Sequence, residues 1–266
     1  MTDPRPAVAP DRATEIAAGL ERVTARIDAA CAAAGRADRP ALIAVTKTHP
    51  AEDVVELVRR GVADVGENRD QEARPKATEV ERLCAEAGLA VPAWHFIGQL
   101  QSNKAKHAVR YAAAVHSVDR SSLVDALGRA MQVRAERAAA GEVPAREDLD
   151  CLIQVDVDPR PDEERPTDGI GGRGGAAPED VAALAAGIAS TPRLRLRGLM
   201  CVAPRGIEPA KSFARAAHLA ARLREDHPEA AWLSMGMTAD LEAAVAAGAT
   251  HLRIGSDILG RRADLG

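Results

Sequence analysis

The chain has 266 residues, of which 46% are hydrophobic and 28% are charged, and its formal net charge is −4. This length and composition predict a soluble globular protein of one large domain or two small ones. The sequence has no basic cluster suited to nucleic-acid phosphates and no apolar run of about 20 residues suited to a membrane helix. We therefore expect neither nucleic acid nor a membrane among its partners.

The N-terminus and the cysteines indicate the cellular compartment. Residues 1–12 are rich in proline and lack the apolar core of a signal peptide, so we predict a disordered tail. The cysteines lie far apart, without CxxC spacing, and are predicted to be reduced and buried: Cys31, Cys84, Cys151 and Cys201. A cytoplasmic protein is expected.

Predicted helices and strands alternate along the rest of the chain. An amphipathic helix is predicted at 13–34, ending at Gly35. Strands are predicted at 41–47, 62–66, 93–98, 112–118, 148–157, 194–203, 231–236 and 250–256. Helices are predicted at 51–60, 68–87, after Ser102, 121–139, 178–189, 209–226 and 238–247.

Eight strands alternating with helices are typical of an α/β fold, the (β/α)8 TIM barrel, here with an extra N-terminal helix. A doubly wound open sheet is the alternative, although it more often has five or six strands. We assign residues 13–266 to a single barrel domain. The segment 158–178 carries GIGGRGG, which resembles a phosphate loop but lacks the Gly-Lys-Ser/Thr ending, so a flexible surface insertion is the preferred interpretation.

In such a barrel, functional groups lie at the carboxyl ends of the strands. Lys47 ends the first predicted strand and is expected to point into the barrel mouth. Partial desolvation there would lower its pKa and free the amine to attack a carbonyl group. A lysine that merely extends its charged end into solvent is the alternative interpretation.

The last two predicted strands end in residues suited to a phosphate. Gly236 follows one strand, and Gly255 and Ser256 follow the other, which is where barrels commonly bind an anion through backbone N–H groups. Ser234 and Ser256 are candidate hydroxyl donors. Thr238 is either a further ligand or only the N-cap of the next helix.

Arg253 lies two residues before Gly255, so the two residues share one face of the last strand. A buried guanidinium there needs an acceptor, either a cofactor ring nitrogen or a carboxylate at a strand end. A reactive lysine, a phosphate cradle and a ring-facing arginine on one barrel together indicate pyridoxal phosphate (PLP).

Three other polar residues receive weaker interpretations. His95 is expected to be a hydrogen-bonded core histidine, although it is also placed to orient a ligand, and His116 is considered only as a metal ligand. Glu67 is expected to pair with a cation near a strand end rather than to act in catalysis. No metal site is predicted, because further ligands at suitable spacing are missing.

The same segments carry a resemblance to a known family. They are AVTKTHP (44–50), VGENRDQE (65–72), WHFIGQLQSNKAK (94–106), VHSVD (115–119), GLMCVAP (198–204) and LSMGMTADLEAAVAAGATHLRIGSDILGRR (233–262). In this order they resemble the pyridoxal phosphate homeostasis protein family. The motifs extend over most of the predicted barrel. The chain departs from the family at Gln99, Cys201 and Thr238, where His, Thr and Ser are common, and its 158–178 loop is longer.

The resemblance implies a barrel of the alanine-racemase N-terminal-domain type that holds PLP as an internal aldimine on Lys47. It also implies that Asn68 and Arg253 address the ring, while Ser234, Gly255 and Ser256 lie near the phosphate. Proteins of this family are thought to buffer and deliver the cofactor and to influence amino-acid and keto-acid balance. PLP and PLP-dependent apoenzymes are the implied partners, and the chain is expected to be a monomer or a weak dimer.

Whether the chain is also an enzyme is a separate question. Racemisation needs a base on each face of the substrate, and alanine racemases take the second base, a tyrosine, from a C-terminal domain that we do not expect here. Tyr111, the single tyrosine, is predicted to lie far from the mouth. We therefore expect a carrier or regulator without efficient turnover. The alternatives are a true PLP enzyme, such as a weak racemase, and an aldolase-like barrel whose Schiff-base lysine uses no cofactor.

Overall fold

The computed structural model describes residues 9–160 and 174–260. Within them, eight parallel strands form a closed barrel in sequence order, with β8 paired to β1. The strands are β1 (Ala41–Val45), β2 (Asp64–Glu67), β3 (Ala93–Phe96), β4 (Ala112–Val118), β5 (Leu149–Gln154), β6 (Leu194–Met200), β7 (Trp232–Ser234) and β8 (His251–Ile254). The predicted TIM barrel is thereby confirmed, and the open-sheet alternative is wrong.

Helices follow the strands and cover the outside of the barrel. They are α1 (Pro10–Ala33), α2 (Ala51–Arg59), α3 (Asp70–Ala87), α4 (Ala105–Ala108), α5 (Ser121–Ala139), α6 (Val181–Ser190), α7 (Pro209–Asp226), α8 (Leu241–Ala246) and α9 (Ser256–Leu259). Because helices cover one side of each strand and the barrel interior the other, most strand residues are buried in the core. Aliphatic side chains supply most of this core, since the chain has only five aromatic residues.

The extra N-terminal helix is present, but it begins earlier than predicted. Helix α1 starts at Pro10, so residues 10–12 do not belong to a tail. Proline is favourable at a first helical position because its φ angle is already helical and its missing N–H would have no intrahelical partner there. Arg12 then ties this first turn to α2 through an ion pair of 2.6 Å with Asp53. The rest of the predicted tail, residues 1–8, lies outside the described residues.

Several predicted boundaries differ from the observed ones. The segments after β3 and before α6 begin as 3-10 turns, at Ser102–Lys104 and Pro178–Asp180. Helix α8 begins at Leu241 rather than at 238, because Asp240 Oδ1 accepts a hydrogen bond of 2.6 Å from the Met237 backbone N–H. Such a local side-chain bond competes with the helical pattern. The short helix α9 was not predicted.

The predicted insertion at 158–178 is described only at its two ends, because residues 161–173 lie outside the described residues. The C-terminal end of this segment is held by backbone hydrogen bonds to the end of β5 and the residues just after it. The Ala176 backbone N–H donates to Gln154 O, and Ala176 O accepts from the Asp156 N–H. The chain therefore re-enters the fold beside the carboxyl end of β5, where the barrel mouth lies.

Two further features bear on the sequence predictions. All four cysteines are free and buried, as predicted. Among the described residues, no helix combines the length and the apolar character needed to cross a membrane.

Candidate functional site

The predicted site residues lie on one continuous arc of the barrel wall. Strands β7, β8, β1 and β2 are consecutive neighbours in the closed sheet. The site residues lie on these strands or in the turns just after them: Ser234 and Thr238 at β7, Arg253, Gly255 and Ser256 at β8, Lys47 at β1, and Asn68 at β2. Residues that are almost 210 positions apart in sequence are thus brought to one side of the mouth.

Lys47 lies in the turn after β1, and its side chain is exposed. The expectation that the protein itself desolvates this amine is therefore wrong. The reason is that β1 ends at Val45, two residues before the lysine. Thr48 has a φ of +67°, a left-handed conformation that is unusual for a β-branched residue. The chain thus turns sharply at Lys47 and presents the amine at the rim.

A buried polar cluster fixes the start of this turn. Thr46 is fully buried, and its hydroxyl donates to Glu67 Oε1 over 2.8 Å. Lys76 Nζ, from α3, donates to the same carboxylate oxygen over 2.7 Å and to Thr46 O over 2.8 Å. Glu67 does pair with a cation, as predicted, but the cation comes from a helix and not from a strand end. These hydrogen bonds therefore hold the backbone in place at Thr46, the residue directly before Lys47.

Asn68 follows β2 and has an unusual polar environment. Its side-chain oxygen is buried and has no hydrogen-bond partner among the described residues. The backbone of Asn68 packs against Gly98, where an added Cβ would lie 2.1 Å from Asn68 O. This close approach requires glycine at 98 and draws the turn after β3 against the turn after β2. An orphaned buried acceptor at the mouth indicates that a donor belongs there.

Arg253 lies inside the barrel on β8 and is only 5% exposed. Its two terminal nitrogens donate to Ser234 Oγ and to Cys201 O, each over 2.8 Å. No carboxylate of the described residues forms an ion pair with it, so the carboxylate alternative is wrong. Burial lowers the pKa of this guanidinium below its ordinary value. Arginine nevertheless stays charged in proteins, and a buried charge without a counterion needs a polar partner.

Ser234 is completely buried and lies between two polar side chains. Its hydroxyl oxygen accepts the hydrogen bond from Arg253, and it lies 3.0 Å from Nδ1 of His116. The resemblance placed Ser234 near the phosphate, whereas its hydroxyl is occupied by these two partners in the structure. The Ser234 side chain is thus oriented toward Arg253.

Thr238 and Ser256 meet across the loops after β7 and β8. Their hydroxyl oxygens are 3.4 Å apart. The N-cap interpretation of Thr238 is wrong, because the N-cap residue of α8 is Asp240. Gly255 packs on β1, and a Cβ there would lie 3.0 Å from Val45 O. Two hydroxyl groups and a glycine backbone therefore line one small stretch of the rim.

Beneath the mouth, polar side chains continue through the barrel interior. His95 Nδ1 lies 2.8 Å from His116 Nε2, and His95 Nε2 lies 2.9 Å from Asp64 Oδ1. Both histidines are buried and hydrogen-bonded, as was predicted for His95. Burial, followed by the nearby His95 and Arg253, holds the pKa of His116 well below its usual value.

Sequence reasoning missed Asp64 and Lys76 as supports of this site. Asp64 opens β2, and its contact with His95 joins residues 31 positions apart. Lys76 lies on α3 and reaches Thr46 across 30 positions. Neither has a local sequence signal, because the partners meet only when the barrel closes.

The arrangement suits a flat polar ring that carries an anionic group. Arg253 supplies a charged donor and Asn68 an unpaired acceptor. Thr238, Gly255 and Ser256 supply polar groups at the rim, and Lys47 supplies an amine. The residues therefore fit PLP, whose ring nitrogen, phosphate and aldehyde need these three kinds of partner.

Two other groups bear on the chemistry. Among the described residues, no three His, Cys, Asp or Glu side chains are arranged to hold a metal ion. Tyr111 directly precedes β4, at the face opposite the mouth, and packs edge-on against Trp94. Burial raises the pKa of its phenol above the ordinary value. It is therefore placed away from the site, as predicted.

Comparisons with known proteins agree with this geometry. The family model described as "Alanine racemase, N-terminal domain" matches residues 19–263. A protein of Corynebacterium glutamicum is 40% identical over 221 residues, covering 83% of this chain and 90% of that protein. One of Escherichia coli K12 is 35% identical over 252 residues, covering 93% and 97%. Both carry the name pyridoxal phosphate homeostasis protein.

Solved structures give the same result. PipY of Synechococcus elongatus PCC7942, solved with PLP bound, is 31% identical, with a TM-score of 0.72 over 92% of this chain and 100% of its own. The alanine racemase of Corynebacterium glutamicum is 13% identical, with a TM-score of 0.61 over 96% of this chain and 62% of its own, and so shares the fold. The chain therefore belongs to the pyridoxal phosphate homeostasis protein family and has the barrel of the alanine racemase N-terminal domain.

Proposed function

We propose that this protein binds PLP at the mouth of its barrel, on the arc formed by β7, β8, β1 and β2, and acts in PLP homeostasis. The observation that carries the proposal is the convergence on that arc of an exposed amine, a buried arginine and a buried amide oxygen, where the described residues offer the arginine no carboxylate and the amide oxygen no hydrogen-bond partner. The printed names of the relatives and the PLP-bound PipY structure support the same assignment.

Lys47 is the proposed covalent attachment point. Its amine would hold the cofactor covalently through the aldehyde carbon, with loss of water. Because Lys47 is exposed, the amine is accessible to the incoming aldehyde and also to a competing amine. The anchored Thr46 backbone limits the positions that the amine samples.

Arg253 is proposed to face the ring nitrogen, and Asn68 to contact a polar substituent of the ring. A guanidinium only donates hydrogen bonds, so the ring nitrogen that accepts from it carries no proton. PLP supplies an electron sink for carbanion chemistry, and that sink is weaker when this nitrogen is unprotonated. Arg253 therefore favours holding and exchanging the cofactor over efficient turnover.

Thr238, Gly255 and Ser256 are proposed to hold the phosphate. Hydroxyl groups and backbone N–H groups at the ends of the last two strands are the usual phosphate donors of such barrels. In our proposal Ser234 contributes indirectly, because its hydroxyl is bonded to Arg253 and His116. This revises the role that the family resemblance implied for Ser234.

Titration of the protein with PLP tests the binding proposal. Absorption spectra of wild type, Lys47→Ala and Lys211→Ala are compared, the last being a control at an exposed lysine on α7. We expect the visible band of a pyridoxal Schiff base, at one equivalent, in wild type and in the control but not in Lys47→Ala. An equal band in Lys47→Ala contradicts the attachment point, and no band in any of the three contradicts the function.

A second experiment separates a carrier from an enzyme. The PLP-loaded protein is incubated with alanine of one configuration, and both the released cofactor and the opposite enantiomer are measured over time. A carrier releases at most one equivalent of cofactor and forms no enantiomer beyond the uncatalysed background. Sustained racemisation that Lys47→Ala abolishes would instead make the protein a PLP-dependent racemase. PLP-dependent apoenzymes are the proposed acceptors of the released cofactor.

A further inference from the structure

A continuous hydrogen-bonded chain crosses the barrel interior from the mouth toward the opposite face. It runs from Arg253 through Ser234, His116 and His95 to Asp64, with successive distances of 2.8, 3.0, 2.8 and 2.9 Å. The four members nearest the mouth are at most 5% exposed. The Asp64 side chain, at the start of β2, is 29% exposed. This series of hydrogen bonds therefore links the buried Arg253 guanidinium to the Asp64 carboxylate, which is partly exposed to solvent.

The chemistry of the two ends sets the direction of every bond. Arg253 only donates, and an ionised Asp64 only accepts. His95 therefore donates from Nε2–H to Asp64, and its Nδ1 accepts from His116 Nε2–H. His116 Nδ1 then accepts the Ser234 hydroxyl proton, and Ser234 Oγ accepts from Arg253. In this arrangement the Ser234 hydroxyl and both imidazole N–H groups have acceptors, and both imidazoles are neutral Nε2–H tautomers.

The reverse direction leaves groups unsatisfied. If His116 donated from Nδ1 to Ser234, the serine hydroxyl proton would have no acceptor in a fully buried position. A neutral His95 would then direct an unprotonated Nε2 at the Asp64 carboxylate over 2.9 Å, which is repulsive. The lowered pKa of His116 agrees with an uncharged ring.

The other charged or titratable groups beside these hydrogen bonds, His251 and Arg197, do not replace Asp64 as the terminal acceptor. His251 lies on β8 beside Trp232, and burial lowers its pKa to about 4, so it is neutral. Arg197 lies over the Trp232 ring at 4.6 Å. Neither residue is a carboxylate, so Asp64 remains the terminal acceptor of the hydrogen-bonded series, at the end opposite the barrel mouth.

We propose that Asp64, His95 and His116 are positioning residues for the cofactor ring. They fix the Ser234 hydroxyl so that its oxygen accepts from Arg253, which in turn holds the guanidinium toward the mouth. A carboxylate on the far side of the barrel thereby controls the group that faces the ring nitrogen. This inference rests on the proposed PLP site, but the tautomers on which it depends exist in the protein without cofactor.

The first test therefore uses the protein without PLP. Isotope-labelled histidine and proton–nitrogen correlation spectra at neutral pH report which ring nitrogen carries hydrogen, and His95→Gln and His116→Gln assign the signals. We expect both rings to be neutral and protonated at Nε2. An Nδ1–H tautomer or a doubly protonated ring at either position overturns the inference, whether or not the protein binds PLP.

A matched pair of variants at Asp64 tests whether this carboxylate fixes the tautomers of the two histidines. Asp64→Asn keeps an oxygen that accepts from His95, whereas Asp64→Leu removes the acceptor, and the partly exposed position tolerates both. We expect wild-type tautomers in Asp64→Asn and a mixture in Asp64→Leu. Identical tautomers in the two variants overturn the inference.

The second readout is the cofactor itself. We expect Asp64→Leu to bind PLP only about fivefold more weakly, because Asp64 acts on the guanidinium through three intervening side chains, and Asp64→Asn to bind almost as wild type does. With nitrogen-labelled PLP, the ring-nitrogen resonance should shift in Asp64→Leu and not in His218→Gln, a control at an exposed histidine on α7. Unchanged affinity and resonance in Asp64→Leu refute the positioning role. A failure of every form to bind PLP refutes the proposed function and leaves the tautomer result standing.

Discussion

At the residue scale, the burial of Arg253 has a structural cost, and its proposed role is to contact the cofactor ring. Within the described part of the chain this buried guanidinium has no carboxylate partner, which is unfavourable for folding, and the serine and carbonyl acceptors compensate only in part. Its retention at the mouth is explained if it donates to a ligand. An experiment therefore has to separate the effect of Arg253 on the stability of the fold from its effect on cofactor binding.

Arg253→Gln makes this separation. We expect PLP to bind at least about tenfold more weakly, since a hydrogen bond from a charged group contributes about 1.5–3 kcal/mol. The free energy of unfolding without cofactor should change by less than about 2 kcal/mol, because lost bonds and relieved desolvation offset each other. Equilibrium dialysis and urea unfolding measure the two quantities. If this variant bound PLP with the affinity of wild type, Arg253 would not contact the cofactor.

Gly236 and Gly248 form a second residue-scale test. Their φ angles are +91° and +92°, so alanine is strained at both. A Cβ at Gly236 would lie 2.4 Å from Ala244 Cβ, whereas nothing lies within 4 Å of a Cβ at Gly248. We expect Gly248→Ala to cost about 1 kcal/mol of unfolding free energy and Gly236→Ala about 3 kcal/mol. Equal losses in urea unfolding would show that the packing around Gly236 is not tight.

At the element scale, the turn after β1 depends on a buried ion pair between β2 and α3. The Glu67 side chain is 1% exposed and that of Lys76 is 9% exposed. Glu67→Gln should lower the free energy of unfolding by about 3 kcal/mol, because it leaves Lys76 buried without its counterion. Glu79→Gln on the same helix removes a partner of Arg82 at the surface and should have no measurable effect. Similar results for the two variants would contradict the role of Glu67.

The contact between α1 and α2 should depend on pH. Burial of Asp53 disfavours its ionised form, but the hydrogen bonds from His49 and Arg12 outweigh burial and lower its pKa below 3.8. A lowered carboxyl pKa stabilises the fold above the unfolded-state value, and this stability is lost as the pH falls through the folded-state value.

Wild type and Asp53→Asn are therefore compared by urea unfolding across pH. Their difference should be about 2 kcal/mol at about pH 7 and should stay constant down to about pH 5. Below the unfolded-state pKa of 3.8 it should shrink, because the wild-type carboxylate becomes protonated. A difference that grows on acidification would contradict the lowered pKa.

At the scale of the whole molecule, the barrel was predictable because its signal repeats. Apolar strands alternate with amphipathic helices, and the boundaries of α5 and α7 agree with the predicted ones. The differences occur where local bonding competes with periodicity, as at Asp240, and in segments of only one turn, such as α9. Periodicity carries no information at that length.

The site was predictable in outline for a different reason. The rule that functional groups lie at the carboxyl ends of strands selects Lys47, Arg253 and Ser256 without any knowledge of their contacts. The exposure of Lys47 and the bonding of Ser234 depend on where the chain turns and on partners far away in sequence. The contact between Ser234 and His116 spans 118 positions, so no local pattern contains it.

The proposed attachment of PLP to Lys47 is tested by identifying which lysine carries the cofactor. The PLP-loaded protein is reduced with borohydride, digested and mapped by mass spectrometry. The chain has five lysines: Lys47, Lys76, Lys104, Lys106 and Lys211. We predict that one equivalent of reduced cofactor is found on Lys47 alone. Its presence on another lysine, or its absence from all five, would contradict the account.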